Sequence, residues 1–154
     1  MTDPAVSVML GSGGISSEDR RETYRTLVGD HFSDCEYVLF VPYASDDHDV
    51  YTSRMQDFMG SKGPSLVGMH TFDDELSAVR DAEGIYVGGG NSFLLIRDLH
   101  ERGLIGPIRE CCLGGVPYLG VSAGSNVACP TMMTTNDMPI VLPPSFESFG
   151  IVPF

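Results

Sequence analysis

Residues 85–102 read Ile-Tyr-Val-Gly-Gly-Gly-Asn-Ser-Phe-Leu-Leu-Ile-Arg-Asp-Leu-His-Glu-Arg and contain one complete repeating unit of the fold. The apolar run at 85–87 predicts a short buried strand, which the three following glycines end abruptly. Residues 91–102 predict a helix, because apolar side chains recur along one side of it. A strand, a tight turn and an amphipathic helix together are typical of a parallel sheet covered by helices.

The same alternation runs through most of the chain and predicts one domain over residues 1–154. Gly11, Gly13 and Gly14 end the first strand, and Ser16 is the expected cap of the first helix. This order predicts a three-layer α/β fold with a parallel sheet between two layers of helices, and a ligand site beyond the carboxyl ends of the fourth and fifth strands. The strands are predicted at 5–10, 37–41, 65–69, 85–87 and 116–119, and the helices at 16–29, about 45–60, 73–81, 91–102 and 106–113.

The composition limits the classes of partner. The chain has 21 acidic and nine basic residues and a net charge of −12, so its surface repels phosphates. We therefore expect neither nucleic acid nor a membrane as a partner, and the sequence contains no signal peptide or spanning segment. The spacing of the four cysteines fits neither a zinc site nor a disulfide framework, which favours reduced thiols in the cytoplasm.

Gly120-Val121-Ser122-Ala123-Gly124 matches the G-x-S-x-G pattern of a nucleophile elbow. It follows a predicted strand and precedes a plausible helix start, which is the context that the pattern requires. Glycines suit the two outer positions, because side chains there would collide with the sharply turning backbone. Ser122 is therefore a candidate nucleophile. The alternative, that Ser122 only caps a helix, has about equal weight on these five residues alone.

Gly88-Gly89-Gly90-Asn91 is the second candidate segment. Glycines let backbone approach a ligand closely, and their N–H groups could form half of an oxyanion hole, with the N–H of Ala123 as the other half. The alternative is a tight turn in which Asn91 caps the following helix. Both interpretations can hold together.

These two blocks resemble the peptidase E (α-aspartyl dipeptidase) family of serine peptidases. The resemblance rests on GGGNSF at residues 88–93 and on GVSAGSNVACPTMMTTNDMPIV at residues 120–141. It implies a flavodoxin-like sheet, similar to class I glutamine amidotransferases but with serine in place of their cysteine. It also implies hydrolysis of a small peptide substrate, a dipeptide with N-terminal aspartate (Asp-X), without a metal or organic cofactor.

The resemblance also implies roles for individual residues. Ser122 is the expected nucleophile, Asp137 the expected acidic member of the charge relay, and Gly89 and Ala123 the expected oxyanion-binding positions, with Gly90 and Asn91 in the same substrate-binding segment. The alternative for Asp137 is that it fixes a turn before a proline. The family's catalytic histidine, and the basic residues that hold the substrate's aspartate, are expected on a segment after residue 154.

The four histidines of the chain are weaker candidates for the general base. His48 and His70 are placed to approach the carboxyl edge of the sheet, whereas His31 follows the first helix and His100 comes late in the fourth, and none occupies the family's position.

Two alternatives to the dipeptidase stay open. The first is a catalytically incomplete binding module on the same scaffold, which self-associates into a homo-oligomer through an exposed sheet edge. The second is a related enzyme for another acidic peptide, such as a cyanophycinase, which residues 134–139 favour less. The aspartates at 46, 47 and 49 lack the spacing and the glutamate of an EF-hand loop, so a solvated acidic loop is the preferred interpretation.

Overall fold

The computed structural model describes residues 4–13, 15–133 and 135–154; Gly14 and Thr134, which belong to motifs quoted above, lie outside them. Five parallel strands form one sheet in the order β1-β5-β4-β2-β3. The strands are β1 Val8–Gly11, β2 Val38–Val41, β3 Leu66–Gly68, β4 Ile85–Val87 and β5 Tyr118–Val121. The helices are α1 Glu18–His31, α2 His48–Met59, α3 Glu75–Arg80, α4 Ser92–Glu101, α5 Ile105–Leu113 and α6 Ala123–Asn126, and Met69–Thr71 forms a 3₁₀ helix.

Helices cover both faces of the sheet, as the alternation of side chains in β2 shows. Leu39 and Val41 pack in the core that includes α3, α4 and α5. Val38 and Phe40 point the other way, into the core that includes α1 and α2. All four side chains are fully buried, as expected for a strand between two helix layers. The predicted three-layer α/β architecture is therefore confirmed.

The predicted order of elements holds, but several boundaries were wrong. β5 begins at Tyr118 rather than at residue 116 and continues into the motif, because Gly120 and Val121 pair with the last two residues of β1. From residue 4 onward, only the carbonyl of Ser7 extends that pairing towards the N-terminus, so β1 begins at Val8 and not at residue 5. The cap of α1 is Ser17 rather than Ser16, since its side chain accepts a hydrogen bond from the backbone N–H of Arg20.

A further difference concerns β3, which ends at Gly68 rather than at Met69. The chain turns there into the 3₁₀ helix, and the hydroxyl of Thr71 donates a 2.7 Å hydrogen bond back to the carbonyl of Gly68. Among the strands that the structure describes, β3 lies at the edge and pairs with β2 alone, so little pairing opposes the turn.

The strand order fixes where a ligand site can form. The chain steps outward from β2 to β3, and then returns past β2 to β4 and onward to β5. The direction of the crossovers therefore reverses between β2 and β4, and such a switch point leaves a crevice beyond the carboxyl ends of the strands. The turns after β4 and β5 lie side by side at this edge, because those strands are neighbours.

Candidate active site

Ser122 has the backbone conformation of an elbow. Its φ is 55° and its ψ is −106°, and within the described ranges it is the only non-glycine residue with a positive φ. A side-chain-bearing residue in such a region costs on the order of 1–3 kcal/mol, so the surrounding structure must impose it. The residue is exposed to solvent at the end of β5. The strained turn therefore presents a hydroxyl at the carboxyl edge of the sheet.

The two glycines of the motif are sterically required. A Cβ atom on Gly120 would lie 2.3 Å from the carbonyl oxygen of Gly124, and one on Gly124 would lie 2.2 Å from the carbonyl oxygen of Val87. Both distances are well inside van der Waals contact, and both obstacles are backbone atoms. The close approach of α6 to β4 and β5 therefore depends on hydrogen at both positions. The sequence pattern predicted glycine at both, but the obstacles that the structure shows are backbone atoms of Gly124 and Val87 rather than of Ser122.

Three polar groups hold the elbow, and sequence reasoning missed two of them. The N–H of Ser122 donates to the carbonyl of Gly11 at 2.8 Å. The hydroxyl of Tyr118 donates to the carbonyl of Gly124 at 2.6 Å, and the hydroxyl of Ser125 lies 2.8 Å from the Gly11 carbonyl. A tyrosine in an otherwise apolar central strand was the available signal, because a buried hydroxyl needs a partner.

The glycine segment after β4 lies against the elbow, so the structure brings the two motifs together. A Cβ atom on Gly89 would lie 3.0 Å from the carbonyl oxygen of Val121 and 3.2 Å from the Cβ of Ser122. Gly90 has a φ of 140°, and a Cβ there would lie 2.4 Å from the carbonyl oxygen of Ala44. These positions therefore need glycine for close packing, whatever their chemical role.

Asn91 has the capping role that the alternative interpretation gave it. Its side-chain oxygen accepts hydrogen bonds from the backbone N–H groups of Phe93 and Leu94, at 3.0 and 3.2 Å. Its own N–H donates to the carbonyl of Ala44 at 2.9 Å. That N–H is consequently occupied by a backbone acceptor. Ala123 is the first residue of α6, where the N–H precedes the first intrahelical hydrogen bond.

Asp137 lies at the N-terminus of α4. Its carboxylate accepts hydrogen bonds from the backbone N–H of Ser92 at 2.8 Å and from the Ser92 hydroxyl at 2.7 Å. Partial burial acts to raise the pKa of Asp137, but these bonds outweigh it and hold the pKa below its ordinary value. The Ser92 oxygen also accepts from the side chain of Asn126, whose N–H donates to the carbonyl of Ser122. A hydrogen-bonded path thus connects Asp137 with the elbow.

In the described part of the chain, no histidine contacts Ser122. The Nε2 of His31 lies 2.9 Å from the carbonyl oxygen of Tyr118, at the opposite end of β5. His100 lies 2.7 Å from the carbonyl oxygen of Glu147, and His70 lies 2.7 Å from a carboxylate oxygen of Asp49.

His48 and His70 belong to a separate histidine cluster. Their ring centroids are 5.7 Å apart, and the Nε2 of His48 lies 3.9 Å from a carboxylate oxygen of the largely buried Asp98. Burial lowers the pKa of His48, against an opposing attraction from Asp98. Within the described ranges, no three histidine, cysteine or acidic side chains are placed to hold a metal ion.

The acidic loop after β2 has structural partners. Asp47 caps α2 by accepting from the N–H of Val50 at 3.0 Å, and Asp49 pairs with His70. Each of the four cysteines is a free thiol whose pKa is raised, chiefly by burial. Among the helices of the described residues, we find none with the length and apolar character needed to cross a membrane.

The sequence of this chain matches a known family of peptidases. The sequence profile of Peptidase family S51 matches residues 7–154. A protein of Drosophila melanogaster named "Probable alpha-aspartyl dipeptidase" is 45% identical over 150 residues, which are 96% of this chain and 62% of that protein. A protein of Streptomyces coelicolor named "Peptidase E" is 49% identical over 117 residues, which are 76% of this chain and 48% of that protein. The chain thus spans about half to three fifths of these relatives.

A solved structure from Listeria monocytogenes EGD-e superposes with a TM-score of 0.72 and 24% identity, covering 94% of this chain and 74% of the other. This similarity confirms the predicted flavodoxin-like fold class. Because the family profile spans nearly all of the sequence, the chain belongs to peptidase family S51.

Proposed function

We propose that this chain carries the nucleophile of a serine dipeptidase that cleaves dipeptides with an N-terminal aspartate. The observation that supports this most is the conformation of Ser122, an exposed side chain on a strained turn with a φ of 55°. Strain of this kind concentrates at functional sites, where it pre-organises a reactive group. The names of the relatives from Drosophila melanogaster and Streptomyces coelicolor agree with this activity.

The proposed reaction begins when the Ser122 oxygen attacks the peptide carbonyl carbon and its proton passes to a general base. The N–H groups of Gly89 and Ala123 stabilise the negative oxygen that forms. The peptide C–N bond then breaks, the leaving amine takes a proton, and water hydrolyses the aspartyl ester on Ser122. Gly89 supports this role by lying against Ser122, and Ala123 by starting the following helix.

We assign Asp137 to the same machinery as a positioning residue. Its carboxylate fixes the N-terminus of α4 through Ser92, and Ser92 in turn accepts a hydrogen bond from Asn126 beside the elbow. The four histidines of this chain are held at other places, so the reaction needs a proton acceptor other than these imidazoles in their present positions. Free imidazole in solution can act as the general base if the rest of the site is formed.

Hydrolysis of Asp-Leu, measured with and without added imidazole, tests the proposal. Wild-type protein should hydrolyse the dipeptide faster when imidazole is present, and the rate should fall to background in Ser122→Ala. Ser53→Ala, which changes an exposed serine on α2, is the matched control and should retain the wild-type rate.

Labelling with a fluorophosphonate gives a second measurement that needs no complete turnover. Mass spectrometry should find the label on Ser122 and none on Ser53. Hydrolysis that survives in Ser122→Ala would contradict the proposal. A folded protein that shows neither hydrolysis nor labelling would contradict it as well.

Self-association is a second candidate, and one segment favours it. Met138, Ile140 and Leu142 are 73%, 58% and 87% exposed, which puts three large apolar side chains in water within five residues. Contiguous exposed apolar surface often marks an interface. Light scattering should therefore find a dimer or larger assembly that Leu142→Ser weakens. The same change at Leu27, which is 51% exposed on α1, is the control. A stable monomer at high concentration would refute this candidate.

A further inference from the structure

We propose that an apolar cavity next to Gly89 receives the side chain of residue X, the residue that follows aspartate in the substrate. The cavity has a volume of about 180 Å³. This inference rests on the proposed function and names the part of the substrate that the cavity recognises.

One wall of the cavity is a face of α2. Tyr51, Met55 and Phe58 follow each other at intervals of four and three residues, so their side chains lie on the same side of the helix. All three are only partly buried. A partly buried row of large apolar side chains is therefore available to a ligand that reaches this face.

The opposite wall joins the cavity to the nucleophile. It contains Gly89 and Val121. Val121 is the residue before Ser122, and a Cβ on Gly89 would lie 3.2 Å from the Cβ of Ser122. A peptide whose carbonyl oxygen is bound at Gly89 would therefore have one of its two flanking side chains within reach of the cavity.

The chemistry of the walls decides which of the two side chains fits. No residue that lines the cavity in the described structure is charged. The hydroxyls of Tyr24 and Tyr86 lie 2.6 Å apart, so one donates to the other, and the Tyr51 hydroxyl faces the backbone of Gly89. The guanidinium groups of Arg25 and Arg54 lie over the rings of Phe58 and Tyr51, but neither arginine lines the cavity. A carboxylate without a cation would be costly to bury there, which favours the side chain of X over the substrate's aspartate. An aliphatic side chain has no polar group to desolvate, and burial of its apolar surface favours binding.

The size of the cavity agrees with a single side chain. Its volume of about 180 Å³ is well below the 300 Å³ at which cavities for drug-sized ligands begin. The preferred substrates should therefore be dipeptides in which X is leucine, isoleucine or methionine, and Asp-Gly should be a poor substrate.

Binding to the Ser122→Ala protein tests this without turnover. The probes are Asp-Leu, Asp-Gly and leucine amide, with the methyl signal of Met55 followed by NMR. Asp-Leu and leucine amide should both shift this signal, and Asp-Leu should bind at least about tenfold more tightly than Asp-Gly. Equal affinity for Asp-Leu and Asp-Gly, or a Met55 signal that no probe shifts, would overturn the inference.

Met55→Trp fills the cavity and should reduce the ratio of Asp-Leu to Asp-Gly affinity towards one. Ser53→Trp puts the same side chain on the exposed side of α2 and should leave the ratio unchanged. The thermal midpoint of both variants checks that they fold. An unchanged ratio in folded Met55→Trp would also overturn the inference.

The two proposals fail in different ways. Hydrolysis of Asp-X that depends on Ser122 but not on the nature of X defeats the inference and leaves the proposed function intact. Leucine amide that binds beside Met55, without any hydrolysis or fluorophosphonate labelling, defeats the proposed function and leaves an apolar side-chain site in place.

Discussion

The elbow at Ser122 and the histidine cluster both follow carboxyl ends of strands in the same sheet, but they are built in opposite ways. The elbow is made by backbone, with Gly120 and Gly124 packed so closely that neither tolerates a Cβ. The cluster is made by side chains, with His48 near Asp98 and His70 beside Asp49. The elbow therefore depends on positions that lack a side chain, whereas the histidine cluster depends on charged side chains. A methyl group should break the first, and pH should act on the second.

Helix α4 connects the two regions. Its first residue, Ser92, bonds to Asp137 and Asn126 on the side of the elbow. Six residues later, Asp98 approaches His48 and bonds with Arg97. Both regions therefore depend on the same helix. Variants that remove the partner of Ser92 or the partner of Asp98 should separate the contributions of the two regions to stability.

The largest effect is expected from Gly124→Ala. The new Cβ would lie 2.2 Å from the carbonyl oxygen of Val87, so β4 and the elbow must move apart. We expect a loss of about 3 kcal/mol in the free energy of unfolding and loss of fluorophosphonate labelling. Gly106→Ala is the control, because a Cβ there has no atom within 4 Å and should leave stability unchanged or raised. Equal midpoints for both variants in urea would refute the steric account.

Tyr118→Phe should have the next largest effect. The variant removes the hydroxyl that donates to the Gly124 carbonyl at 2.6 Å and leaves that acceptor buried without its partner. The expected cost is about 1–2 kcal/mol in the free energy of unfolding. Tyr37→Phe, at a half-buried tyrosine outside the elbow, controls for the loss of a hydroxyl. A Tyr118→Phe protein as stable as wild type would show that backbone packing alone holds the elbow.

Asp137→Asn tests the link through α4. The variant weakens two charge-assisted hydrogen bonds from Ser92, and because Asp137 is only partly buried we expect a loss of about 1 kcal/mol at pH 7. The folded-state pKa of Asp137 lies below its ordinary value of 3.8, so its stabilisation is present above that pH. It is lost as the pH falls through the folded-state pKa.

The difference in unfolding free energy between wild type and Asp137→Asn should therefore shrink below about pH 4, as urea titrations at several pH values can measure. Asp57→Asn, at an exposed position of α2, is the control. A difference that stays constant down to pH 2 would show that the carboxylate charge has no part in the interaction.

The smallest effect is expected from His48→Gln, and it concerns pH only. Burial lowers the folded-state pKa of His48, so the folded protein binds fewer protons than the unfolded chain, whose histidine pKa is about 6.5. Wild-type stability should therefore decline as the pH falls below about 6.5, by well under 1 kcal/mol because the ring is partly exposed.

His48→Gln should flatten that decline in the thermal midpoint between pH 7 and pH 5. The same change at His100, which contacts the Glu147 carbonyl rather than a second imidazole, is the control. A decline as steep in His48→Gln as in wild type would assign the pH dependence to other groups.

Local sequence patterns predicted the succession of strands and helices along the chain, the elbow, the glycine turn and the cap at Asn91. All of these depend on residues within a few positions of each other: the glycines bracket Ser122 directly, and Asn91 bonds two and three residues ahead. Apolar periodicity also identified both faces of the sheet, because a central parallel strand is buried on each side.

Contacts between residues far apart in the sequence arise only when the sheet assembles. Gly89 lies against Ser122 because β4 and β5 are neighbours in the sheet. Asp137 bonds Ser92 across 45 positions, and the chain's histidines bond elsewhere. Such partners follow from strand order and crossover direction, which no local pattern encodes. The cavity beside Gly89 has the same origin, because its walls come from α1, α2 and the two central strands, and these meet only when the sheet is assembled.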